Sequence, residues 1–214
     1  MRRPEFIARQ SSRPSGILGR VIGHIMSFET AAGNGEALKA LDLRPADRVL
    51  EVGFGHGRTV QRAASMAPLG LVVGIDASEE MLQMATRRCR HLIARDRVRL
   101  TLGDSARVPY PDQFFDKAYA IHTIYFWDDP QVHLRELHRV LRDGSRLVLG
   151  FHPKEDGGAR DFPDSVYRFY TIDEMLHLLQ AAGFTDARVE RAGGTAGGLA
   201  LGIGHRPDGR SVPR

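Results

Sequence analysis

After Pro45 the chain alternates short apolar runs with longer stretches in which apolar residues recur every three or four positions. The runs are rich in Val, Leu and Ile and cover Arg48–Val52, Leu71–Ile75, Val98–Leu102, Ala118–Ile121 and Arg146–Phe151. Runs this short and this continuously apolar predict strands buried on both faces. Segments of helical period lie between them. Arg58–Met66 is the first, and Ser78–Ala94 starts on an N-capping Ser78 and sets Met81, Leu82, Ala85 and Cys89 on one face. Pro130–Leu141 places Val132, Leu134, Leu137 and Leu141 at helical spacing. Thr171–Ala182 opens with the capping-box arrangement Thr171-Ile172-Asp173-Glu174 and stops before Gly183.

Strands that alternate with helices pair in parallel through right-handed crossovers, so the expected class is α/β, a Rossmann-like doubly wound sheet. The end of the chain breaks that rhythm. Ala187–Ala192 and Leu199–His205 read as two strands joined only by Gly193-Gly194-Thr195-Ala196-Gly197-Gly198, a connection suited to a hairpin and too short for a crossover helix. The expectation is a mostly parallel sheet of seven strands with an antiparallel hairpin at one edge. Residues 1–16, rich in Arg, Ser and Pro, read as a disordered basic arm. Residues 17–43 read as two short helices broken near Gly33-Asn34-Gly35, and the apolar face of Gly16–Phe28 suggests a cover or lid. Residues 44–206 form the expected main domain, with a tail at 207–214.

Composition narrows the function classes. A chain of 214 residues, 42% of them apolar and 26% charged, buries one sizeable core. No run approaches the roughly 18 apolar residues of a membrane span, and no signal-peptide block follows the basic start, so a cytoplasmic protein is expected. The single Cys89 excludes an internal disulfide, and no metal-ligand spacing joins the histidines. The formal charge of +4 equals that of residues 1–20 alone, and arginine outnumbers lysine 27 to 3. One cluster, Arg87, Arg88, Arg90, Arg95, Arg97 and Arg99, has the charge of a nucleic-acid patch. It lacks interleaved aromatics, and cations suit a helix C-terminus, so no nucleic-acid partner is expected.

The candidate chemistry begins at Val49-Leu50-Glu51-Val52-Gly53-Phe54-Gly55-His56-Gly57-Arg58, where a buried strand meets three alternate glycines and then a helix. Such a turn at the first strand of an α/β sheet is where nucleotide-like ligands bind. Dinucleotide loops follow Gly-x-Gly-x-x-Gly, whereas here the third glycine comes one residue early, which disfavours an NAD-type oxidoreductase. Asp76, ending the second run, is placed to bind ribose hydroxyls, a cue shared by both ligand classes. Asp104, in Gly103-Asp104-Ser105 after the third run, is placed to meet the amine of an adenine.

Together with Glu51-Val52-Gly53-Phe54-Gly55-His56-Gly57, Asp76 and Gly103-Asp104, the segments Tyr110-Pro111-Asp112-Gln113-Phe114-Phe115-Asp116 and Arg139-Val140-Leu141-Arg142-Asp143-Gly144 resemble class I S-adenosylmethionine-dependent methyltransferases. The resemblance runs from about Leu43 to His205 and is strongest to the small-molecule and quinone/lipid branch, which Leu178-Leu179-Gln180-Ala181-Ala182-Gly183-Phe184 also resembles. It implies S-adenosyl-L-methionine as cofactor, with Gly53, Phe54, Gly55 and Gly57 around its methionine part and Glu51 supporting the loop. By the same resemblance Asp76 holds the ribose, Ala77 and Met81 lie near the adenine, and Gly103, Asp104 and Ser105 meet its edge. Asp143 and Ser145 stand in a turn where the family often has Pro and Gly.

Methyl transfer from a sulfonium is an in-line displacement that needs alignment more than a catalytic triad. The acceptor side is expected after the fourth strand, in His122-Thr123-Ile124-Tyr125-Phe126-Trp127. His122 is a candidate base. Tyr125 and Trp127, with His152 after the fifth strand and Tyr167 in the following loop, are candidate walls for a small organic or lipid-like acceptor. An RNA methyltransferase would place a base-binding motif such as Asn-Pro-Pro-Tyr where His122-Thr123-Ile124-Tyr125 stands.

Overall fold

Strands β1 (Arg48–Val52), β2 (Leu71–Asp76), β3 (Val98–Leu102), β4 (Phe115–Ile121), β5 (Leu141–Phe151), β6 (Thr185–Arg191) and β7 (Ala200–His205) form one sheet in the order β3-β2-β1-β4-β5-β7-β6. They belong to a computed structural model that describes residues 31–157, 162–192 and 198–209. β1 pairs in parallel with β2 and β4, and β2 with β3 and β4 with β5 likewise. β7 lies between β5 and β6 and runs antiparallel to both. The expected doubly wound class and its antiparallel edge are both present. The direction of winding reverses between β1 and β4, so their C-terminal ends open a crevice there.

The two-residue period of the strands divides the core. Leu50 and Val52 of β1, Ala118 and Ala120 of β4 and Leu147 and Leu149 of β5 share one face with Leu134, Leu137, Met175 and Leu179. Those four come from helices α4 (Pro130–Val140) and α5 (Ile172–Ala181). Val49, Tyr119 and Val148 point the other way, onto Leu38, Val60, Ala63, Met81 and Ala85. That layer is α1 (Ala31–Leu41), α2 (Arg58–Met66) and α3 (Glu79–Ile93).

Local chemistry sets the helix ends where the sequence places them. The Ser78 hydroxyl accepts from Met81 N at 3.3 Å to start α3. Asp129 accepts from Gln131 N at 2.9 Å ahead of Pro130, the first residue of α4. Thr171 and Glu174 complete a capping box at α5.

Three expectations change. The helix does not break at Gly33-Asn34-Gly35: α1 runs through them because those glycines let it lie close to its neighbours. A Cβ on Gly33 would come within 2.6 Å of Leu199, and Asn34 donates to Thr59 Oγ1 at 3.0 Å. Asp143 and Ser145 belong to a bulged stretch of β5 rather than a free turn, with Gly144 at φ 73°. Val132 is 44% exposed, and the buried stripe of α4 is Pro130, His133, Leu134, Leu137 and Val140. The arm and the Gly16–Phe28 segment lie outside the described residues.

The arginine excess has a structural use. Arg97 donates to the carbonyls of Ala64 at 2.9 Å, Ala67 at 2.6 Å and Gly70 at 2.8 Å, and also to Pro68, around the C-terminus of α2. Arg206 donates through Nη1 to His138, Arg139 and Leu141 at 2.8, 3.0 and 2.6 Å, ending α4. Arg146 reaches Ala40 O at 2.7 Å near the end of α1. A guanidinium satisfies several unpaired carbonyls at once and places a cation at the negative pole of the helix. In the basic cluster Arg88 likewise donates to His56 O at 2.9 Å, and Arg99 pairs with Asp96 at 2.8 Å. Replacing Arg206 by Met strands the α4 carbonyls, and urea denaturation is expected to show a loss of about 1.5–3 kcal/mol with an unchanged slope.

Candidate active site

The loop after β1 is locked to its neighbours by backbone and side chain together. Gly53 N donates to Ile75 O at 2.8 Å, and Gly103 N to Asp76 O at 2.9 Å, so the C-terminal ends of β1, β2 and β3 stand in a row. Asp76 completes the join. Its Oδ2 accepts from Gly55 N at 2.8 Å and its Oδ1 from Ser78 N at 2.9 Å. Burial raises the Asp76 pKa, and the backbone N–H groups of Ser78, Gly55 and Ala77 oppose that rise.

The three glycines have three different reasons. Gly53 sits at φ 72°, and a Cβ there would fall 2.0 Å from Thr123 Cγ2, so it permits β1 to meet the end of β4. Gly57 sits at φ 81° as N-cap of α2, where a Cβ would come within 2.8 Å of Ala85 Cβ. Gly55, at φ 52°, would place its Cβ with nothing within 4 Å. Of the three, Gly55 alone presents its backbone to open space, as close approach of a ligand requires.

Glu51 lies beneath the loop with its carboxylate buried. Tyr119, its register partner across β1 and β4, donates its hydroxyl to Glu51 Oε2 at 2.5 Å. Burial pushes the Glu51 pKa well up, the Tyr119 hydrogen bond opposes this, and the nearby Asp76 charge adds to the rise. Phe54 does not face a ligand with its side chain. It is buried in the helix α1–α3 layer and fills the space over Gly74, so only its backbone belongs to the loop surface. Met81 is buried in the same cluster, while Ala77 is exposed beside Asp76.

Asp104 and Ser105 follow β3 as expected, with a partner the sequence reading omitted. Asp104 Oδ1 accepts from Ala106 N at 2.9 Å and lies 3.5 Å from His133 Nδ1. The buried Ser105 hydroxyl is 2.8 Å from the same nitrogen. The ring of His133 stacks flat on Trp127, with centroids 4.7 Å apart and planes 3° apart. Trp127 is therefore committed to this buried stack. Burial lowers the His133 pKa against the pull of Asp104, Asp128 and Asp129.

On the far side of the crevice His122 follows β4 at φ 59°. Its ring stacks on His152 at 5.0 Å, and its Nδ1 is 3.4 Å from the Tyr125 hydroxyl. That hydroxyl accepts from His152 N at 2.5 Å, tying the loops after β4 and β5 together. Burial, reinforced by His152, pushes the His122 pKa down to about 3. Tyr125 and Tyr167 are buried and 6.1 Å apart between ring centres, joined by half-buried Phe126, Phe162 and Phe169. Among the described residues no group of three His, Cys, Asp or Glu side chains is arranged to hold a metal ion, and no helix is long and apolar enough to cross a membrane.

A family model described as a methyltransferase domain matches residues 50–149. The chain thus carries, over just under half of its length, a methyltransferase domain of the S-adenosylmethionine-dependent kind. It is 29% identical to the uncharacterized methyltransferase YdaC of Bacillus subtilis over 79% of this chain and 89% of that protein. It is 36% identical to the 27-O-demethylrifamycin SV methyltransferase of Amycolatopsis mediterranei, over 70% of this chain but only 58% of that longer protein. Among solved structures, a putative methyltransferase of Haloferax volcanii, in complex with the activator Trm112, superposes with a TM-score of 0.79 at 19% identity, covering 97% of this chain and 100% of that one. At that identity the likeness concerns the fold.

These geometries separate two substitutions at neighbouring glycines. Gly53→Ala combines a left-handed backbone with the Thr123 clash and is expected to cost about 2–4 kcal/mol in denaturant. Gly55→Ala carries only the backbone strain of about 1–2 kcal/mol, yet it is expected to weaken S-adenosylmethionine binding by about tenfold or more in calorimetry. Glu51 supplies a pH test. Its raised folded-state pKa means that its stabilising contribution is full below the ordinary carboxylate range and is lost as pH rises through the folded value. Glu51→Gln is expected to melt above the wild type at pH 8 and level with it in acid.

Proposed function

We propose that the chain transfers the S-adenosylmethionine methyl group to a small organic or lipid-like acceptor. The observation that carries this reading is the pairing of Gly55, open to approach, with the Asp76 carboxylate at the point where the sheet reverses its winding. The Asp76 carboxylate, with about four lone-pair sites for its three backbone donors, keeps capacity for a ribose hydroxyl. The Asp76 carboxylate stands beside the loop with three backbone N–H groups opposing its neutralisation, a setting that disfavours a diphosphate.

The cofactor, when bound, supplies an electrophilic methyl group on a sulfonium. This chain's residues supply position. The backbone of Gly53–Gly57 would cup the methionine part, Asp76 the ribose, and Asp104 the adenine edge, held in place by Ala106 N and the Ser105–His133 pair. His122, Tyr125 and His152, with the half-buried Phe126, Phe162 and Phe169, would border the acceptor and exclude water. The relative from Amycolatopsis is named for an oxygen position, which supports an acceptor hydroxyl.

Titration calorimetry tests the donor assignment. S-adenosylmethionine and S-adenosylhomocysteine are expected to bind while NAD does not, and Asp76→Ala is expected to lose about tenfold or more in affinity, or about 1.4 kcal/mol. Binding of NAD instead, or full affinity in the Asp76 variant, would remove the reading.

A further inference from the structure

We infer that His122 is a hydrogen-bond donor to an acceptor oxygen that arrives already ionised, so that the acceptor class is an acidic aromatic or enolic hydroxyl and no side chain removes its proton. This inference rests on the methyl-transfer reading above and gives it an acceptor class.

Backbone strain singles out His122. Among the described residues five non-glycine positions have positive φ: Asp42, Asp96, Gln113, Asp186 and His122. The first four are exposed, whereas His122 is half-buried where β4 enters the crevice. Its amide still donates to Gly150 O at 2.8 Å, so the strand pairing is kept while the side chain is set by a left-handed backbone. Such a conformation in a non-glycine residue costs free energy and concentrates at functional sites.

The proton positions follow from the hydrogen bonds. Tyr125 Oη accepts from His152 N, which leaves the buried phenol one proton to donate. Its hydrogen-bonding neighbour on the other side is His122 Nδ1. Giving the phenolic proton an acceptor makes Nδ1 unprotonated and puts the imidazole proton on Nε2. The direction of the relay is therefore His152 N–H to Tyr125 O–H to His122 Nδ1, and it ends in an Nε2–H donor. Nε2 has no hydrogen-bond partner among the described residues, and no carboxylate is hydrogen-bonded or ion-paired to His122.

A base at this position would need the opposite arrangement, with a lone pair toward the acceptor and an anion behind the ring to hold the positive charge formed. Here the groups against the ring are the His152 imidazole and the Tyr125 phenol, and burial with His152 opposes any added charge. The Tyr125 pKa is raised by its own burial, so the phenol offers no anion. An acceptor oxyanion suits the donor end of the relay. It attacks the methyl carbon, a new O–C bond forms as the S–C bond breaks, the electron pair stays on sulfur, and the two opposite charges cancel with no proton transferred. The half-buried rings of Phe126, Phe162 and Phe169 suit a planar, apolar body for that acceptor.

The probe is 4-nitrophenol, whose ionised form absorbs in the visible, titrated with pH in the presence of the protein saturated with S-adenosylhomocysteine. The bound phenol is expected to ionise about tenfold more readily than the free one, a shift of about one pKa unit. His122→Asn, which keeps an N–H donor and tolerates positive φ, is expected to retain most of that shift. His122→Ala is expected to lose it, and Tyr125→Phe, which frees the imidazole tautomer, to lose part of it; melting curves report whether each variant is folded. A bound phenol that is neutral, or a shift unaltered in both His122→Ala and Tyr125→Phe, overturns the inference. So does the absence of nitrophenol binding to protein that binds S-adenosylhomocysteine in calorimetry, an outcome that leaves the donor assignment intact. Failure of both ligands removes the two readings together. Where two phenols of different acidity are methylated, the break in the pH–rate profile is expected to move with the phenol; a fixed break would mark an enzyme base.

Discussion

The carboxylate of Asp76 is the joint on which the site is built. One of its oxygens holds the amide of Gly55 and the other holds that of Ser78, so a single residue fixes both the glycine loop and the start of α3. The sheet alone does not accomplish this. Parallel pairing aligns β1 with β2 as far as Val52 and Ile75, and the Gly53 amide extends the ladder by one bond. Beyond that point the chain turns away, and the loop keeps its course through the Asp76 side chain and through the close approaches that Gly53 and Gly57 allow. A site that depends on one carboxylate for its shape is also sensitive to any change in that carboxylate's charge. This explains why three backbone donors gather around a group that burial drives toward neutrality.

The same economy appears in the helices. In most proteins the carbonyls at a helix end are met by water, a left-handed glycine or a turn. Here arginines from distant parts of the sequence perform that task at α2 and α4, each reaching three or more carbonyls, and Arg146 bonds one near the end of α1. At α2, where Nε, Nη1 and Nη2 of Arg97 all donate, lysine with its single nitrogen offers no equivalent fork. The arginine bias that suggests an anionic partner from composition alone is, at Arg88, Arg97 and Arg99, spent inside the chain.

How far the sequence is legible depends on whether the signal is local. Strands β1 and β3 and helix α2 begin and end where the apolar runs and glycines place them, because each boundary is set by its own residues. The antiparallel edge follows from the length of the connection between its two strands, which is equally local, whereas the placing of β7 between β5 and β6 does not. Most of the misread features are contacts between elements. Gly33 and Gly35 look like a helix break until Leu199 and Arg62 are seen pressed against them. Phe54 sits in a ligand-binding motif, yet its side chain fills the gap over Gly74 in the next strand. In α4, taking Val132 as a core residue shifts the stripe by one position and hides His133, although the i, i+3, i+4, i+7 series from Pro130 includes it. Tyr119 was within reach of sequence reasoning, since parallel pairing of β1 and β4 puts it directly beside Glu51 on the same face.

The two halves of the crevice are therefore constrained differently. The donor half uses backbone amides and strand-end carboxylates, whose positions follow from the sheet. Its residues consequently fall into motifs that a single sequence displays. The proposed acceptor half is assembled from side chains in the loops after β4 and β5, and the pairing of Tyr125 with His152 crosses between loops 27 residues apart. The role we propose for it turns on which nitrogen of His122 carries a proton, and no residue spacing encodes that. A histidine in the expected place of a base supports either role on sequence grounds. The contact behind it, 3.4 Å from Nδ1 to the Tyr125 phenol, is what favours the donor role we propose.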